Sequence, residues 1–355
     1  MIQERICNAL LNPTKGPSKL MAAIRQRQAV IAALEDEMAE DSKVFLMGED
    51  ISSGGPFKAT EGLIDIYGPN RVIDTPISEM AFLGAGVGAA AKGYRPVVEM
   101  MFIEFIGVAL DQLTTQGAFF RYLSRGAYQV PLTIRAAAGA GMGFGCQHSQ
   151  VLDQWFRGNK GISVVMPSNP QSMYGLLRSA IQSNDPVVVL EHKALYGERG
   201  EVVRGYSGLV QIGKSLQISS GDDLTIVSVG RSLLTAKAAL EAQSEWKADL
   251  IDLQTMIPWD KEAVLESVAR TKRLVIVEEN SWSGGWGHEV ANTVNSELFG
   301  ELAAPCLRIT SPDAPIPYAA NLEDRYLPNV EYIQSQIKEW LATNKLPRPW
   351  WEVSR

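Results

Sequence analysis

The amino-acid sequence predicts an α/β fold with two doubly wound domains, and three observations carry this prediction. The chain has 355 residues, of which 46% are hydrophobic, so it is long enough and apolar enough to form two cores. Helical and strand patterns alternate along it, which is typical of mostly parallel sheets covered on both faces. The alternation is interrupted for about 25 residues near the middle of the chain, which divides it into two series.

The first series begins with a helix over 26–41, because Val30, Ile31, Leu34 and Met38 recur at helical spacing. Short apolar runs between turn residues predict buried strands. These strands are 44–47, 71–73, 96–102, 132–136, 162–166 and 187–190. The helical patterns between them cover 79–92, 104–122, 149–156 and 170–182. We therefore predict an N-terminal extension at 1–19 and a first domain over 20–197.

The second series begins after a Gly-Asp-Asp turn at 221–223. Its predicted strands are 224–229, 249–253, 273–278 and 306–309, and its predicted helices are 233–242, 261–270, 287–298 and 330–343. This order predicts a second α/β domain over 223–345. A linker at 198–222 joins the two domains, and a tail follows at 346–355.

The charge and the cysteines limit the classes of partner. The net charge is −7, with no block of five or six like charges, which argues against a nucleic-acid or anionic-membrane surface. The longest weakly polar run, 80–91, is too short to span a bilayer. Cys7, Cys146 and Cys306 are far apart and odd in number, which suits a reducing compartment. We find no signal-peptide pattern and expect a cytoplasmic protein whose partners are small molecules or other proteins.

The stretch GLVQIGKS at 208–215 matches the pattern of a phosphate-binding loop, but its neighbours argue against that function. Such a loop must leave a strand and enter a helix, so that its backbone N–H groups converge on the phosphates. Here residues 216–220 continue as an extended run instead. We therefore predict two short strands with a turn between them.

Two further glycine-rich segments have different interpretations. GAGVGA at 84–89 fits a dinucleotide-binding fingerprint, but residues 74–83 separate it from the nearest strand. It is better explained as part of a helix whose small side chains let another element pack closely. GAGMGFG at 139–145 directly follows a strand, and loops at the carboxyl ends of strands are where α/β folds place ligands.

His148 comes directly after this second loop, at the predicted start of a helix. An imidazole there can face a ligand and exchange protons near neutral pH, although a capping or packing role fits the sequence equally well. Cys146 can form a pair with His148. A nucleophilic cysteine also needs a third, orienting group, and none is indicated.

Glu79 stands at the entry of a helix that is otherwise apolar and rich in glycine and alanine. Two interpretations remain open. The carboxylate either interacts with the helix dipole, or it is a desolvated acid with a raised pKa and a chemical role.

Several ordered motifs together resemble the β subunit of thiamine-diphosphate-dependent 2-oxo acid dehydrogenases, of the acetoin and pyruvate dehydrogenase type. The motifs are DTPISE at 74–79, RPVVEMMF at 95–102, ALDQL at 109–113, QHSQ at 147–150, VVMPSNP at 164–170, DPVVVLEHKALYG at 185–197 and LEDRYLPNVE at 322–331. The likeness covers residues 20–345. It implies a pyrimidine-binding domain followed by a transketolase C-terminal domain, which agrees with the two predicted domains.

The resemblance also implies roles for single residues. Glu79 matches the carboxylate that hydrogen-bonds a ring nitrogen of the cofactor's aminopyrimidine, and Phe105 matches the aromatic residue that stacks on that ring. His148 matches the histidine that faces the thiazolium ring and assists acyl transfer to the lipoyl group. A structural potassium ion is implied at Leu132, Ala180, Ile181 and Asp185. Ser183 departs from the pattern of that ion site, because some relatives have an aspartate there.

The resemblance further implies a divided cofactor site. The superfamily holds Mg²⁺ and the diphosphate with Gly-Asp-Gly followed by Asn, and no Gly-Asp-Gly occurs in this chain. An α subunit would therefore supply the diphosphate and Mg²⁺ site in an α₂β₂ heterotetramer, which would pass acyl groups to a lipoyl-bearing acyltransferase. The expected substrate is a small 2-oxo acid or acetoin.

Two alternative functions remain. One is a thiamine-dependent carboligase, similar to transketolase, that passes the acyl group to a second carbonyl compound. The other is a non-catalytic subunit that only assembles a complex. The joint presence of Glu79, Phe105 and His148 argues against this second alternative.

Overall fold

In the computed structural model, which describes residues 19–353, fourteen strands form three sheets. The strands are β1 (Lys19–Arg25), β2 (Val44–Gly48), β3 (Val72–Asp74), β4 (Arg95–Met100), β5 (Thr133–Ala138), β6 (Ser163–Val165), β7 (Val187–His192), β8 (Arg199–Arg204), β9 (Leu216–Ser219), β10 (Leu224–Ser228), β11 (Ala248–Asp252), β12 (Thr255–Ile257), β13 (Leu274–Ser281) and β14 (Leu307–Ser311).

Thirteen α-helices accompany these strands over the same residues. They are α1 (Gln26–Glu40), α2 (Leu63–Tyr67), α3 (Glu79–Ala91), α4 (Ile106–Asp111), α5 (Ala118–Leu123), α6 (Gln154–Arg157), α7 (Pro170–Gln182), α8 (Arg231–Glu241), α9 (Lys261–Thr271), α10 (Gly287–Glu297), α11 (Ala320–Tyr326), α12 (Val330–Thr343) and α13 (Trp350–Val353). Within residues 19–353, no helix combines the length and the hydrophobicity that crossing a bilayer requires.

The first domain is built on a seven-stranded sheet with the order β12-β6-β7-β5-β4-β2-β3. Its strands run parallel, except that β12 pairs antiparallel with β6. Every residue of β5 and β7 is buried, as expected for central strands that are covered on both faces. Strand β12 comes from the segment predicted for the second domain, so the two domains share this sheet.

The second domain contains a five-stranded sheet with the order β14-β13-β10-β11-β9, in which only β9 runs antiparallel. A separate two-stranded sheet pairs β1 with β8. The predicted linker is therefore packed structure, because β8 belongs to one sheet and β9 to another. The predicted α/β class is confirmed, with both main sheets mostly parallel.

Most predicted helices and strands are confirmed within a few residues, but two predicted helices need correction. The predicted helix at 104–122 is divided into a 3₁₀ turn (Ile103–Phe105), α4, a π-helical segment (Gln112–Gly117) and α5. The predicted helix at 149–156 is limited to α6, because Leu152 has φ of 54°, a left-handed conformation that interrupts a helix. Most of the predicted N-terminal extension and the end of the tail lie outside the described residues.

The GLVQIGKS segment is confirmed as a turn followed by a strand, β9, but the first of the two predicted strands is absent from 208–212. A phosphate-binding loop would be followed by a helix, but a strand follows this segment. The Lys214 ammonium lies 3.4 Å from the Asp260 carboxylate instead. The GAGVGA segment lies within α3, as predicted. A Cβ on Gly86 would be 2.8 Å from Val98 of β4, so glycine lets this helix lie close to the sheet.

Asp252, at the end of β11, forms a buried link between the two domains. Its Oδ1 accepts hydrogen bonds from the Ser168 hydroxyl (2.9 Å) and from the Gln254 N–H (3.2 Å). Its Oδ2 is buried without a hydrogen-bond partner. Burial raises the pKa of Asp252 to about 7, although these hydrogen bonds oppose the shift.

We predict that Asp252 makes the protein less stable as the pH rises from about 4 to about 7. In this interval the unfolded chain releases the Asp252 proton while the folded chain keeps it, so the free energy of unfolding falls by up to about 1.4 kcal/mol per pH unit. Asp252→Asn should remove this contribution. Urea unfolding of both proteins across this interval should give a difference in stability that increasingly favours the variant as the pH rises. An equal difference at all pH values would contradict the prediction.

Asp249 provides the matched control, because its pKa shifts the other way. Burial alone would raise the pKa of Asp249, but hydrogen bonds from Ser267, the Gly221 N–H and Arg270 hold it below the usual value. The contribution of Asp249 is therefore present above the unfolded pKa and is lost as the pH falls through the folded one. Asp249→Asn should lower stability at neutral pH.

Candidate active site

The carboxyl ends of neighbouring parallel strands meet at one edge of the seven-stranded sheet, which we call the carboxyl edge. The segment that ends at Glu79 follows β3, and Phe105 follows β4. The loop that leads to His148 follows β5. The structure therefore brings the three residues singled out from the sequence to the same edge.

Glu79 is the first residue of α3, as predicted. Its side chain is half-buried. The segment before it is tied to the end of β2. The Thr75 N–H donates to the Gly48 carbonyl (2.9 Å), and the Ser52 N–H and hydroxyl both donate to the Asp74 carboxylate. These bonds fix where α3 begins and hence where the Glu79 carboxylate lies.

A second carboxyl group, Glu49, was missed by the sequence analysis. It directly follows β2, which was the available signal, and its Oε1 is buried without a hydrogen-bond partner. Burial raises the pKa of Glu49, and the nearby carboxylates of Glu79 and Asp50 raise it further. The Glu49 carboxyl therefore binds a proton more readily than an exposed glutamate does, at a position near Glu79.

Aromatic rings form a wall at the same carboxyl edge. The His148 ring packs edge-on against Phe102 at 4.5 Å between centroids and against Phe105 at 5.6 Å. Phe102 also contacts Phe57 (5.8 Å) and Phe144 (5.9 Å). Phe105 is half-buried, so one part of this wall is open to a flat ligand. The sequence analysis found Phe105 but not the other three rings.

His148 does not begin a helix, which corrects the prediction. It lies in a turn of the loop after β5, where its N–H donates to the Gly145 carbonyl (3.3 Å). The base of this loop is closed by a bond from the Gly139 N–H to the Gln150 carbonyl (2.9 Å). The Cys146 thiol is free, and the ring neighbours of His148 are phenylalanines.

The glycine-rich part of the loop is held by carboxylates from the second domain. The two oxygens of Glu323 accept hydrogen bonds from the Gly141 and Gly143 N–H groups, both at 2.8 Å. Glu279 accepts from the Ala140 N–H (3.1 Å). Hydrogen bonds to ionised acceptors are the strong class, so these three contacts fix the loop to the second domain.

Glycine is required at both ends of this segment. Gly139 has φ of +85°, and a Cβ there would lie 2.2 Å from the His192 ring. Gly145 has φ of +68°, and a Cβ there would lie 2.3 Å from the Tyr318 ring. Both positions combine a left-handed backbone with contact on the missing side chain, so no other residue fits.

Two side chains that the sequence analysis missed support the loop, one at the end of β7 (His192) and one directly after it (Lys193). The Lys193 ammonium is buried, donates to the Gly139 carbonyl (2.5 Å) and lies 5.8 Å from the centroids of both the Phe102 and Phe144 rings. Burial lowers the pKa of Lys193 to about 8. His192 Nε2 is 2.7 Å from Glu279.

The four residues expected to hold potassium lie elsewhere. Leu132 precedes β5 and Asp185 precedes β7, so they lie at the amino ends of these strands, on the opposite edge of the sheet. Ala180 and Ile181 are in the last turn of α7. Each of the four carbonyls already accepts one hydrogen bond, that of Ile181 coming from Arg95 (2.9 Å).

Two family models match the chain. Residues 22–199 match the pyrimidine binding domain of transketolase, and residues 213–333 match the transketolase C-terminal domain. A solved structure described as split gene transketolase, inactive beta4 tetramer, has a TM-score of 0.72 at 20% identity and covers 91% of this chain and 100% of that one. At this level of identity the structural likeness bears on the fold alone.

Curated relatives are more similar in sequence. The chain is 39% identical to the acetoin:2,6-dichlorophenolindophenol oxidoreductase subunit beta of Cupriavidus necator, over 89% of this chain and 97% of that protein. It is 40% identical to the pyruvate dehydrogenase E1 component subunit beta of Rhizobium meliloti, over 90% of this chain and 70% of that protein. The 2-oxoisovalerate dehydrogenase subunit beta of Bacillus subtilis is 36% identical to it, over 90% of this chain and 99% of that protein.

Proposed function

The chain belongs to the family of β subunits of thiamine-diphosphate-dependent acetoin and 2-oxo acid dehydrogenases, and we propose that it activates this cofactor and supports acyl transfer to lipoamide. The observation that carries the proposal is the position of Glu79, Phe105 and His148 at one edge of a parallel sheet. A carboxyl group, a flat apolar ring and an imidazole are the groups that the two steps need.

The residues at the carboxyl edge fit the aminopyrimidine half of thiamine diphosphate. When bound, the cofactor supplies a nucleophilic thiazolium carbon that attacks the carbonyl group of the substrate. Glu79 would hydrogen-bond a nitrogen of the aminopyrimidine ring, and burial together with the Glu79 carboxylate raises the pKa of the nearby Glu49. The Phe105 ring would offer a stacking surface, and the glycine-rich loop holds the His148 ring in edge-on contact with it.

The residues of this chain do not fit the Mg²⁺ and diphosphate half. The sequence lacks Gly-Asp-Gly, and within residues 19–353 no three Asp, Glu, His or Cys side chains are grouped as a metal site would need. We propose that an α subunit supplies this half in an α₂β₂ assembly. Exposed apolar side chains beside Glu79 support such a partner, since Ile77 is 83% exposed and Met80 is 54% exposed.

Three further parts of the proposal follow from the same family. A lipoyl-bearing acyltransferase receives the acyl group, and the substrate is a small 2-oxo acid or acetoin.

The carbonyls of Leu132, Ala180 and Ile181 hold a structural potassium ion together with Asp185. The C-terminal end of α7 favours a cation there, although Arg95 already donates to one of these oxygens. Free thiols on Cys146 and Cys306 support a cytoplasmic location.

We predict that Glu79→Gln slows hydrogen–deuterium exchange at the thiazolium carbon by about two orders of magnitude or more. The amide is nearly isosteric, so α3 should keep its packing, but an amide cannot exchange a proton with the aminopyrimidine nitrogen as a carboxyl group does. The measurement uses the chain assembled with its α subunit and the cofactor. Glu61→Gln, at an exposed position, is the control and should exchange as the unmodified protein does. Unchanged exchange in Glu79→Gln would make this residue a helix-start charge only.

We also predict that His148→Ala impairs the second half of the reaction more than the first. Lipoamide-dependent turnover should fall by about two orders of magnitude, because a proton donor for the leaving sulfur is lost. Reduction of an artificial dye that takes electrons before lipoamide should be much less affected. His288→Ala, which removes a ring bonded to Arg308 in the second domain, is the control. Equal losses in both assays would argue for a structural role or for a carboligase.

A further inference from the structure

Glu104 is an acidic residue at the carboxyl edge to which the proposed function assigns no role. It lies in the 3₁₀ turn after β4, directly before Phe105. Its Oε1 accepts a hydrogen bond from the Gln150 N–H (2.7 Å). Its Oε2 is buried and has no hydrogen-bond partner. A buried carboxylate oxygen without a donor is costly, so this atom points to a donor that is present in the working site.

One candidate donor on this chain is the His148 ring, which lies near the Glu104 carboxylate together with Lys193. Gln150, which binds one oxygen of Glu104, is two residues after His148. Phe105, the next residue after Glu104, packs edge-on against the His148 ring at 5.6 Å. Glu104 and Phe105 therefore both contact the loop that carries this histidine.

The charged groups around Glu104 are few. Burial raises the pKa of Glu104, while the Gln150 N–H, Lys193 and His148 oppose this shift. Lys193 in turn faces Glu279 and Glu323 of the second domain, which favour its charged form. Lys193 is also bound to the Gly139 carbonyl, so its ammonium is directed toward the loop backbone. The His148 ring makes no hydrogen bond within residues 19–353, so we take its N–H as the donor for the second oxygen of Glu104.

We propose that Glu104 is a positioning residue that stabilises the protonated His148 ring, with Oε2 accepting a hydrogen bond from a ring N–H. This inference rests on the proposed function for its role in the reaction. When the lipoyl disulfide opens, the electron pair of the acyl carbon forms a bond to one sulfur and the sulfur–sulfur bond breaks. The leaving sulfur keeps that bond's electron pair and takes the proton from His148. The Glu104 carboxylate keeps the ring charged until this transfer occurs.

The test is a titration of the histidine rings by NMR in the full chain with isotope-labelled histidine. The chain has only three histidines, so three ring signals are expected, and the His148 signal is identified by its loss in His148→Asn. Glu104→Gln removes the charge but keeps an oxygen that can accept the Gln150 N–H. We expect the titration midpoint of His148 to fall by about half a pH unit or more in this variant.

Two comparisons make the result decisive. The midpoints of His192 and His288 should not move in Glu104→Gln, which also reports that the variant is folded. Glu104→Asp keeps the charge on a shorter side chain and should retain part of the effect. An unchanged His148 midpoint in Glu104→Gln would overturn the proposal and leave Glu104 as an anchor for the loop backbone. The titration needs no catalytic activity, so a failure of the proposed function would not affect it.

Discussion

The hydrogen bonds from the glycine-rich loop to carboxylates of the second domain are the interaction on which the candidate site depends. A loop of small residues has no side chains with which to fix its own conformation, and glycine loses much conformational entropy on ordering. Glu323 and Glu279 provide the missing contacts by accepting hydrogen bonds from three backbone N–H groups of the loop. The position of His148, at the far end of this loop, is therefore set by a domain that contributes none of the three predicted site residues.

The same interaction explains the distribution of charge behind the site. Carboxylates from the second domain bind the loop, and the Lys193 ammonium binds it from the segment directly after β7. Burial alone would raise the pKa of Glu279, but His192 and Arg231 hold it below the usual value, so Glu279 remains an ionised acceptor. The backbone N–H groups of the loop are thus bound by carboxylates, and its Gly139 carbonyl is bound by an ammonium group.

The sequence predicted the local features of the site and missed the distant ones. The start of α3 at Glu79 followed from a hydrophobic pattern, and the common edge of the strands followed from their parallel order. The contact of Glu323 with Gly141 joins residues 182 positions apart, and no periodicity reports such a pair. The predicted helix before α6 is also absent, because the buried Leu152 has a left-handed conformation that this residue type disfavours. The pairing of β12 with β6 of the first domain also could not be predicted, because a strand of three residues does not indicate which strand it pairs with.

The most direct test of this account is hydrogen exchange at the amides of Gly141 and Gly143 in Glu323→Gln. The amide side chain has one acceptor oxygen and no charge, so it cannot hold both N–H groups as the carboxylate does. A hydrogen bond to a charged group contributes about 1.5–3 kcal/mol, so exchange at these amides should be about 10 to 100 times faster than in the unmodified chain. Asp324→Asn, at the exposed neighbouring position, should leave both rates unchanged. Equal protection of the loop in Glu323→Gln and in the unmodified chain would contradict the claim that the second domain holds the loop that presents His148.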